Sequence, residues 1–347
     1  MKEVSTIGLD LAKNVFQVHG VDGVGGVVIR RALRRSQVLV WFAKLPRCLV
    51  GMEACATAHD WARELEKLGH EVRLIAPAYA KAYVRRNKND PADAAAICEA
   101  VGRPSMRFVA IKSTAQQAAA GIHRVRDLLM KQHTMLRNQL RGLMAEFGRV
   151  AAKGQRGLSA LIAILVDPED RRLPSPLREG LVAIVETLRG IDRKLEAIDR
   201  QLVQAGRENA TYRHLITAPG YGPILASAMV AMVVDPGAFR RGDDFAAALG
   251  PCSSQGQALV PRQEGTGGKT WLGPISKRGN GYLRRLLVNG PTAVLKSKRG
   301  KEDPWLAKLL TSKPRKLVAV ALANKMARIG WALMTRQEDF RGSLAVA

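Results

Sequence analysis

The sequence predicts a mixed α/β domain followed by helical regions, and three observations lead to this prediction. Over roughly the first 110 residues, apolar runs of strand length alternate with segments of helical spacing. From Ser113 to about Gly206, apolar residues recur at the three- and four-residue spacing of long helices. Beyond Tyr212, helical patterns flank a glycine-rich segment at residues 250–280. We therefore expect three domains, at residues 1–112, 113–206 and 207–347.

The N-terminal elements follow in order. The stretch "VSTIGLDLAKNVFQVHGVDG" predicts a buried strand, a short turn around Lys13-Asn14, and a second strand that ends at a Gly/Asp turn. "RCLVGMEA" is another apolar strand, followed by a helix from about Ala58 to Leu68. "EVRLIAPAYAKAYV" predicts a further strand that leads into a helix. Strands interleaved with helices imply a mixed α/β sheet.

Two long helices are predicted in the middle region, separated by the Pro- and charge-rich break "DPEDRRLPSPLREG". Helical spacing is carried first by Ile122, Val125, Leu129, Leu136, Leu140, Leu143 and Phe147. The second helix keeps a strict three–four alternation, the coiled-coil pattern, at Leu181, Ile184, Leu188, Ile191, Leu195, Ile198 and Leu202. An antiparallel hairpin, pairing between subunits, and an ordinary helical bundle all fit this pattern. The last helix is expected from about Lys316 to Met334.

The charge balance predicts a polyanionic partner. The 55 Lys and Arg residues exceed the 30 Asp and Glu residues by 25, far more than solubility needs. Nucleic acid is the first choice, and an anionic membrane surface is the second. We find no apolar run of about 18 residues that could span a membrane. The N-terminus has no signal-peptide core, so we expect a cytoplasmic protein that associates with the nucleoid.

The cysteines and histidines favour no metal site of their own. Cys48, Cys55, Cys98 and Cys252 form no CxxC pair, and the six histidines form no HxxxH motif. We interpret the cysteines as small core residues.

Four acidic residues are the candidate catalytic and metal-ligating groups. Asp10 and Glu53 each end an apolar strand, and Asp90 and Asp93 lie three residues apart at the start of a helix, on one face. Asp90 and Asp93 also have a structural explanation, since Asp90, Pro91 and Asp93 suit the first turn of a helix as caps. As a set in a basic protein, four converging carboxylates suit Mg²⁺, with Mn²⁺ as the alternative. Two such ions about 4 Å apart can clamp the attacking and leaving oxygens of a phosphodiester.

The motifs around these acids resemble a known family. "GLDLAK", "GMEA" and "KNDPADA", with "FAAALG", "LVPRQ", "GTGGKTWLG" and "ISKRGNGYLRRLL" further on, resemble the DEDD transposases of bacterial insertion sequences, family one-ten, whose relatives include the Piv invertase. The resemblance implies an RNase H-like (RuvC-like) N-terminal domain and a C-terminal transposase domain. It also implies DNA transposition that is guided by a structured non-coding RNA, the bridge RNA. Synapsing two duplexes requires several active sites, so we expect a homo-oligomer, dimer or tetramer.

The glycine-rich stretch "RQEGTGGKTWLGPISKRGN", residues 262–280, contains a Gly-Lys-Thr like the one that ends a P-loop. A P-loop also needs a glycine five residues before its Gly-Lys pair, and Gln263 occupies that position. Pro261 and the open glycine run indicate a loop instead. We expect this loop and the helix after it to bind a DNA or RNA backbone, unless the loop is only solvated. The nucleic-acid-binding candidates here are Gly267, Gly268, Lys269, Lys277, Arg278, Arg284 and Arg285.

The resemblance implies a nucleophilic serine in this loop, and the sequence departs from it. The serine's place falls on Gly265 or Thr266, and "PCSSQGQA" looks like an insertion that brings Ser253 and Ser254 nearby. Thr266 as the nucleophile, its replacement by Ser253 or Ser254, and impaired strand transfer all remain open. We favour Thr266.

A further signal is "LITAPGYGPILASAMVAMV", residues 215–233, which has the helix-hairpin-helix pattern. Its turn, with Gly220 and Gly222, would offer backbone N–H groups to a phosphate, although a plain tight turn between core helices also fits.

Three functional classes are therefore compared. The first is a Mg²⁺-dependent transposase or recombinase. The second is a nuclease of the Holliday-junction-resolvase type, which forms no covalent intermediate. The third is a non-catalytic nucleic-acid-binding protein.

Overall fold

A computed structural model of the chain describes residues 3–80, 83, 90–248, 261–266, 269–275 and 280–342, with the backbone alone over 261–266 and 269–275. By its internal contacts the chain divides into two compact units. One unit is residues 118–209, and the other combines residues 1–117 with 210–347. The three-domain division, with boundaries after residues 112 and 206, stays a prediction.

The N-terminal part is built on one mixed six-stranded sheet. Its strands are β1 (Thr6–Asp10), β2 (Val15–Val21), β3 (Val27–Arg34), β4 (Leu49–Glu53), β5 (Glu71–Ile75) and β6 (Phe108–Val109). Their spatial order is β3-β2-β1-β4-β5-β6. The β1, β4 and β5 strands run parallel, whereas β2, β3 and β6 join by antiparallel pairing. The predicted mixed α/β sheet is confirmed.

Helices cover both faces of this sheet. They are α1 (Val38–Phe42), α2 (Ala58–Lys67), α3 (Pro77–Ala80) and α4 (Asp90–Val101). On one face, Ile7, Leu9 and Phe16 form a core with residues of α1 and α2. Because side chains alternate along a strand, Gly8 and Asp10 point to the opposite face, which α4 covers. Residues of α4 there form a smaller core with Ile75 and Ala80.

The sequence prediction missed β3. We expected the second strand to end at a turn, but the chain continues through a tight turn held by Asp22, whose carboxylate accepts hydrogen bonds from the backbone N–H groups of Val24 and Gly26. In β3 only Leu33 is buried, so the strand lacks a clear apolar alternation. It lies at the edge of the sheet and pairs on one side only, so the apolar pattern that marks a buried strand does not develop.

The unit of residues 118–209 contains two long helices. The helices of this region are α5 (Thr114–Glu146), α6 (Gln155–Val166) and α7 (Ser175–Arg207). Arg126 pairs with Asp199, and His133 lies 3.1 Å from Asp192, so α7 runs antiparallel to α5. Leu140 of α5 shares a core with α6 and with Leu181 of α7. The antiparallel hairpin is confirmed, whereas coiled-coil packing and pairing between subunits stay predictions.

The C-terminal part is mainly helical. Its helices are α8 (Ala210–Thr217), α9 (Pro223–Met232), α10 (Gly242–Ala248), α11 (Gly281–Val294), α12 (Lys298–Glu302), α13 (Pro304–Ser312) and α14 (Arg315–Arg336). The α14 helix contacts α8, α10, α11 and α13, and its apolar residues form the centre of one core. Contrary to our expectation, α14 is long and apolar enough to cross a membrane by length and composition alone. Most of it is buried among these helices, as in the core of a globular protein.

Part of the glycine-rich segment forms a β-hairpin, which corrects our expectation of a loop. Strands β7 (Pro261–Thr266) and β8 (Lys269–Ile275) pair antiparallel, with Gly265 opposite Thr270 and Thr266 opposite Lys269. Gly267 and Gly268, which stand between the two strands in the sequence, lie outside the described residues. The sequence signal for the hairpin is the two-residue Gly-Gly spacing between two segments that can pair.

The cysteine interpretation holds only in part. Cys48 and Cys98 are buried, and burial raises the pKa of each thiol to about 11, so both are neutral core groups. Cys55 is exposed and is not a core residue, because it follows the end of β4. Cys252 lies outside the described residues.

The contact between α4 and the sheet depends on two glycines. A Cβ on Gly8 would lie 2.1 Å from the carbonyl oxygen of Ala94 and 2.4 Å from the backbone nitrogen of Cys98. A Cβ on Gly51 would lie 2.7 Å from the Cβ of Val101. The backbone of α4 therefore rests directly on β1 at Gly8, and the Val101 side chain of α4 rests on β4 at Gly51, so no larger residue fits at either position.

We expect Gly8→Ala to lower the free energy of unfolding by about 3 kcal/mol, the upper end for overpacking, since the new methyl group meets helix backbone that cannot rotate away. Urea denaturation followed by circular dichroism measures the change. Gly23→Ala is the matched control, because nothing lies within 4 Å of a Cβ there. Equal unfolding midpoints for the two variants would contradict the packing argument.

Candidate active site and nucleic-acid interface

Asp10 and Glu53 end neighbouring parallel strands. Leu9 of β1 pairs with Met52 of β4, so the next residue of each strand, Asp10 and Glu53, lies at the same level of the sheet. Both belong to the face that α4 covers, since each lies two residues after a glycine that touches this helix. Both carboxylates are partly exposed. The strand ends thus present two acids to one side of the sheet.

Asp90 and Asp93 come to the same place from the first turn of α4. Single ligand oxygens of Asp10, Asp90 and Asp93 all lie within 4.8 Å of one another, although α4 begins 80 residues after Asp10 in the chain. Asp90 is exposed and Asp93 is partly exposed. The structure therefore brings three of the four predicted acids together.

Glu53 is not part of this three-residue group. It reaches the same edge of the sheet by the register of β1 and β4, but only the three aspartates have oxygens within 4.8 Å of one another. Among the described residues, this is also the one group of at least three His, Cys, Asp or Glu side chains with metal-binding proximity.

The donor set fits a hard divalent cation. Three carboxylates this close repel one another, and a cation among them removes that repulsion. Oxygen ligands from carboxylates, completed by water, are what Mg²⁺ takes in proteins, and Mn²⁺ accepts the same ligands. Asp10, Asp90 and Asp93 are therefore the residues that could hold such an ion, and Glu53, at the same edge of the sheet, stays a predicted fourth ligand.

The sequence contained an unused signal for this site. Each strand-end acid follows a glycine by two residues, in "GLD" and in "GME". Those glycines, Gly8 and Gly51, allow α4 to approach closely enough to deliver Asp90 and Asp93. The two glycines contribute to the site indirectly, because they set the position of α4, which carries Asp90 and Asp93.

The turn after α8 is shaped for close approach by its glycines. Gly220 has a φ of +84°, in the left-handed region that favours glycine. A Cβ on Gly290 of α11 would lie 2.3 Å from the Gly220 carbonyl oxygen. The buried Tyr221 hydroxyl donates a hydrogen bond of 3.0 Å to the Met326 carbonyl oxygen, and burial raises the pKa of this phenol. The turn is thus fixed on α11 and α14.

The α9 helix begins directly after this turn. Gly222 is its N-cap residue, with Pro223 in the first turn and no side-chain cap. The N-terminal N–H groups of such a helix favour an anion. The predicted helix-hairpin-helix arrangement of helix, glycine turn and helix is present, and Gly220 and Gly222 lie where the sequence placed them.

The structure describes only some of the other residues that we predicted to contact nucleic acid. Arg284 and Arg285 lie in the first turns of α11, whose N-cap Asn280 accepts hydrogen bonds from the backbone N–H groups of Tyr282 and Leu283. Thr266 ends β7 and Lys269 begins β8. The remaining candidates of this stretch lie outside the described residues: Ser253, Ser254, Gly267, Gly268, Lys277 and Arg278.

Comparisons with known proteins agree over most of the chain. A family model described as "Transposase IS116/IS110/IS902 family" matches residues 212–305. A second model, for DEDD transposases of the IS110 type, matches residues 7–148.

Full-length relatives are similar as well. A "Probable family 20 transposase" of Pseudomonas aeruginosa is 48% identical over 97% of this chain and 99% of its own length. The "Transposase for insertion sequence element IS1328" of Yersinia enterocolitica is 38% identical over 98% of this chain and 99% of its own. The transposase for IS1111A of Coxiella burnetii is 37% identical over 98% of this chain and 92% of its own.

Asparagine substitution separates a metal site from helix capping. Asn caps a helix about as well as Asp and removes the repulsion among the carboxylates, so Asp90→Asn with Asp93→Asn should leave the melting temperature of the metal-free protein unchanged or slightly raised. The same pair should weaken Mn²⁺ binding at least about tenfold, the lower end of the loss found when even the partners of metal ligands are removed. Electron paramagnetic resonance of free Mn²⁺ measures this.

Asp60→Asn on α2 is the matched control, because Asp60 is exposed and pairs with Arg63 on its own helix. If the double variant binds Mn²⁺ as the control does, the two acids serve the helix and not a metal.

Proposed function

Because this chain belongs to the IS116/IS110/IS902 family of transposases, we propose that it cuts and rejoins DNA at the ends of its element by metal-dependent chemistry at Asp10, Glu53, Asp90 and Asp93. The single observation that carries this proposal is the proximity of Asp10, Asp90 and Asp93. Separate strand and helix ends deliver these carboxylates to one edge of the sheet.

The N-terminal domain is proposed to have the RNase H-like, RuvC-like fold. Its support is the strand order, in which an antiparallel three-stranded meander continues into parallel strands. Acids at the ends of β1 and β4 and at the start of α4 would then form one site, which the proximity of Asp10, Asp90 and Asp93 supports. The name of the DEDD model that matches residues 7–148 supports the same assignment of four acids.

Mg²⁺ is the proposed ion, with Mn²⁺ able to replace it. When bound, it would stabilise the charge that develops on the phosphate oxygens during strand cleavage. The chain itself would position the carboxylates. Asp10 and Glu53 come from strand ends and Asp90 and Asp93 from the start of α4, all on the sheet face that α4 covers.

Thr266 is the proposed nucleophile. Its hydroxyl oxygen would form a bond to the scissile phosphorus while the bond from phosphorus to the leaving sugar oxygen breaks, and the hydroxyl proton would end on that sugar oxygen. Its position at the end of β7, in the segment where the resemblance implies a nucleophilic serine, supports this choice. Ser253 and Ser254 are the alternative nucleophiles.

Target choice is proposed to come from a structured guide RNA, and the active form is proposed to be a dimer or tetramer. The excess of 25 basic residues supports binding of more than one nucleic acid. The turn at Gly220–Gly222 and the basic residues Lys269, Lys277, Arg278, Arg284 and Arg285 would contact the phosphate backbone.

A denaturing gel that traps protein–DNA adducts tests the nucleophile. We expect Thr266→Ala to remove the covalent adduct and Thr266→Ser to keep or increase it, because serine lacks the crowding methyl group. Thr292→Ala, an exposed threonine of α11, is the control. Cleavage without any adduct in the unaltered protein would favour the resolvase-type nuclease, and an adduct in Thr266→Ala would point to Ser253 or Ser254.

Replacing the acids tests the metal site. Asp10→Asn should abolish Mg²⁺-dependent recombination in an assay on element-end DNA, while DNA retention in a gel-shift assay stays within about twofold, since the carboxylates contribute chemistry and not backbone affinity. Full recombination by Asp90→Asn with Asp93→Asn would contradict the proposal.

Gly222→Asp tests whether the turn before α9 contacts DNA, with a variant that should not destabilise the protein. The residue has φ −74° and ψ 166° with open space around its Cβ, so Asp fits as an N-cap and should stabilise α9 by roughly 0.3 kcal/mol. Its negative charge should nevertheless weaken DNA binding by about tenfold through repulsion of the phosphate. Gly222→Asn, a neutral cap of the same shape, is the control in fluorescence anisotropy, and equal affinity of the two variants would leave the turn a purely structural element.

Sequencing the RNA that co-purifies with the protein tests the guide. One discrete structured species is the expected result. A random mixture of cellular RNA would speak against RNA guidance.

A further inference from the structure

The edge strand of the sheet carries arginines that form no ion pair. Arg30, Arg31 and Arg34 belong to β3, and Arg35 follows it directly. All four side chains are exposed, and no carboxylate of the described residues lies within 4.0 Å of them. Burial, and then the charge of Arg30, lower the pKa of the neighbouring His19, which adds no positive charge near pH 7. The edge is therefore a strip of uncompensated guanidinium groups.

Arg35 is held in position by aromatic rings. Its guanidinium carbon lies 5.1 Å from the ring centre of Trp61 and 5.8 Å from that of Phe16. Its backbone N–H donates a hydrogen bond of 2.9 Å to the carbonyl oxygen of Asn14. A stacked guanidinium keeps its N–H edge available for a planar or tetrahedral anion.

A pocket of about 590 Å³ opens beside this guanidinium, lined by Asn14, Val15, Arg34, Arg35, Ser36 and Trp61. Trp61 is 7% exposed, and its indole N–H has no acceptor in the described part of the chain. A buried donor without an acceptor is unfavourable, so an acceptor supplied by a ligand would stabilise this site. Two arginines, an amide and a hydroxyl in one pocket select an anion with several oxygens.

The pocket lies at the same end of the sheet as the carboxylates. Asn14 belongs to the turn that follows Asp10, and Arg34 is opposite Val15 at the end of β3. Two strand spacings separate β3 from β1, which is about 10 Å. At about 3.4 Å per nucleotide along a strand, this lateral separation is roughly three nucleotides. Arg35 stacks on Phe16, on the sheet face opposite Asp10, so a strand that reaches both Asp10 and Arg35 must also pass around the edge at β3.

We propose that this pocket, with the arginines of β3, binds a phosphate of the DNA strand that is cut at the carboxylates. The strand would run along the arginine edge, with Arg34 and Arg35 donating to phosphate oxygens and the Trp61 indole N–H as a further donor. This inference rests on the proposed function, because it takes the cleaved strand to lie at Asp10. DNA is favoured over RNA because the pocket shares its end of the sheet with the cutting site.

Fluorescence anisotropy with a short labelled DNA duplex, its single strands and RNA of the same sequence tests the proposal. Arg34→Ala with Arg35→Gln should weaken DNA binding about tenfold and lower the slope of log affinity against log salt by about 1 to 2. Trp61→Phe keeps the ring but removes the donor, and should weaken binding about threefold. Ser36→Asp, an exposed site, should repel the phosphate without touching the core.

Arg73→Gln is the matched control, since Arg73 also stacks on an aromatic ring, that of Phe108, but already pairs with Glu71. Circular dichroism confirms folding of each variant, and Ser36→Asp keeps the test valid if Trp61→Phe unfolds.

Unchanged DNA affinity and salt slope in both the arginine pair and Ser36→Asp would overturn the pocket while leaving the proposed function standing. Loss of RNA binding with DNA binding intact would overturn the assignment to DNA. Failure of the unaltered protein to bind any DNA would instead overturn the proposed function itself.

Discussion

The direct contact of α4 with β1 and β4 is the constraint on which the candidate site depends. Gly8 leaves room for the backbone of α4 and Gly51 leaves room for its Val101 side chain, and only at that distance do the acids of the helix start come near the end of β1. The same two strands hold the opposite core through Leu9 and Met52. In both strands, a glycine and an acid face α4 while the large apolar residue between them faces the opposite core. The same alternation along the strand therefore sets both the packing and the position of the acids.

Electrostatics then makes the aspartate group informative. In a chain with 55 basic residues, an isolated acid is readily matched by a nearby cation. Three carboxylates with oxygens within 4.8 Å of one another compete for such matching and carry a mutual repulsion. Helix capping explains Asp90 and Asp93, but it does not explain why Asp10 from another element lies beside them. A bound divalent cation explains all three.

The C-terminal part uses glycine differently. At Gly290 and Gly330 the absence of a side chain lets the turn after α8 sit on α11 and α14, with Tyr221 buried between them. Gly222 follows this fixed turn as the N-cap residue of α9, and as a glycine it has no side chain to cap the helix. A rigid turn whose helix N-terminus is uncapped is suited to an anion, because no ordering is needed when the ligand arrives.

Sequence alone determined the features that are local. Strand-end acids, the long helices around Leu140 and Leu181, and the glycine turn at Gly220 follow from spacing within one segment, because neighbouring residues alone set those patterns. It did not find β3, since an edge strand buries too little to show alternation. It did not find the hairpin of β7 and β8 either, since the glycine-rich sequence there has no apolar alternation. No local pattern brings Asp10 and Asp90 together, which we predicted from the four acids as a set and from the family resemblance, and nothing in the sequence places Arg35 against Trp61. Those contacts join segments far apart in the chain, and only the packing of α4 and α2 on the sheet decides them.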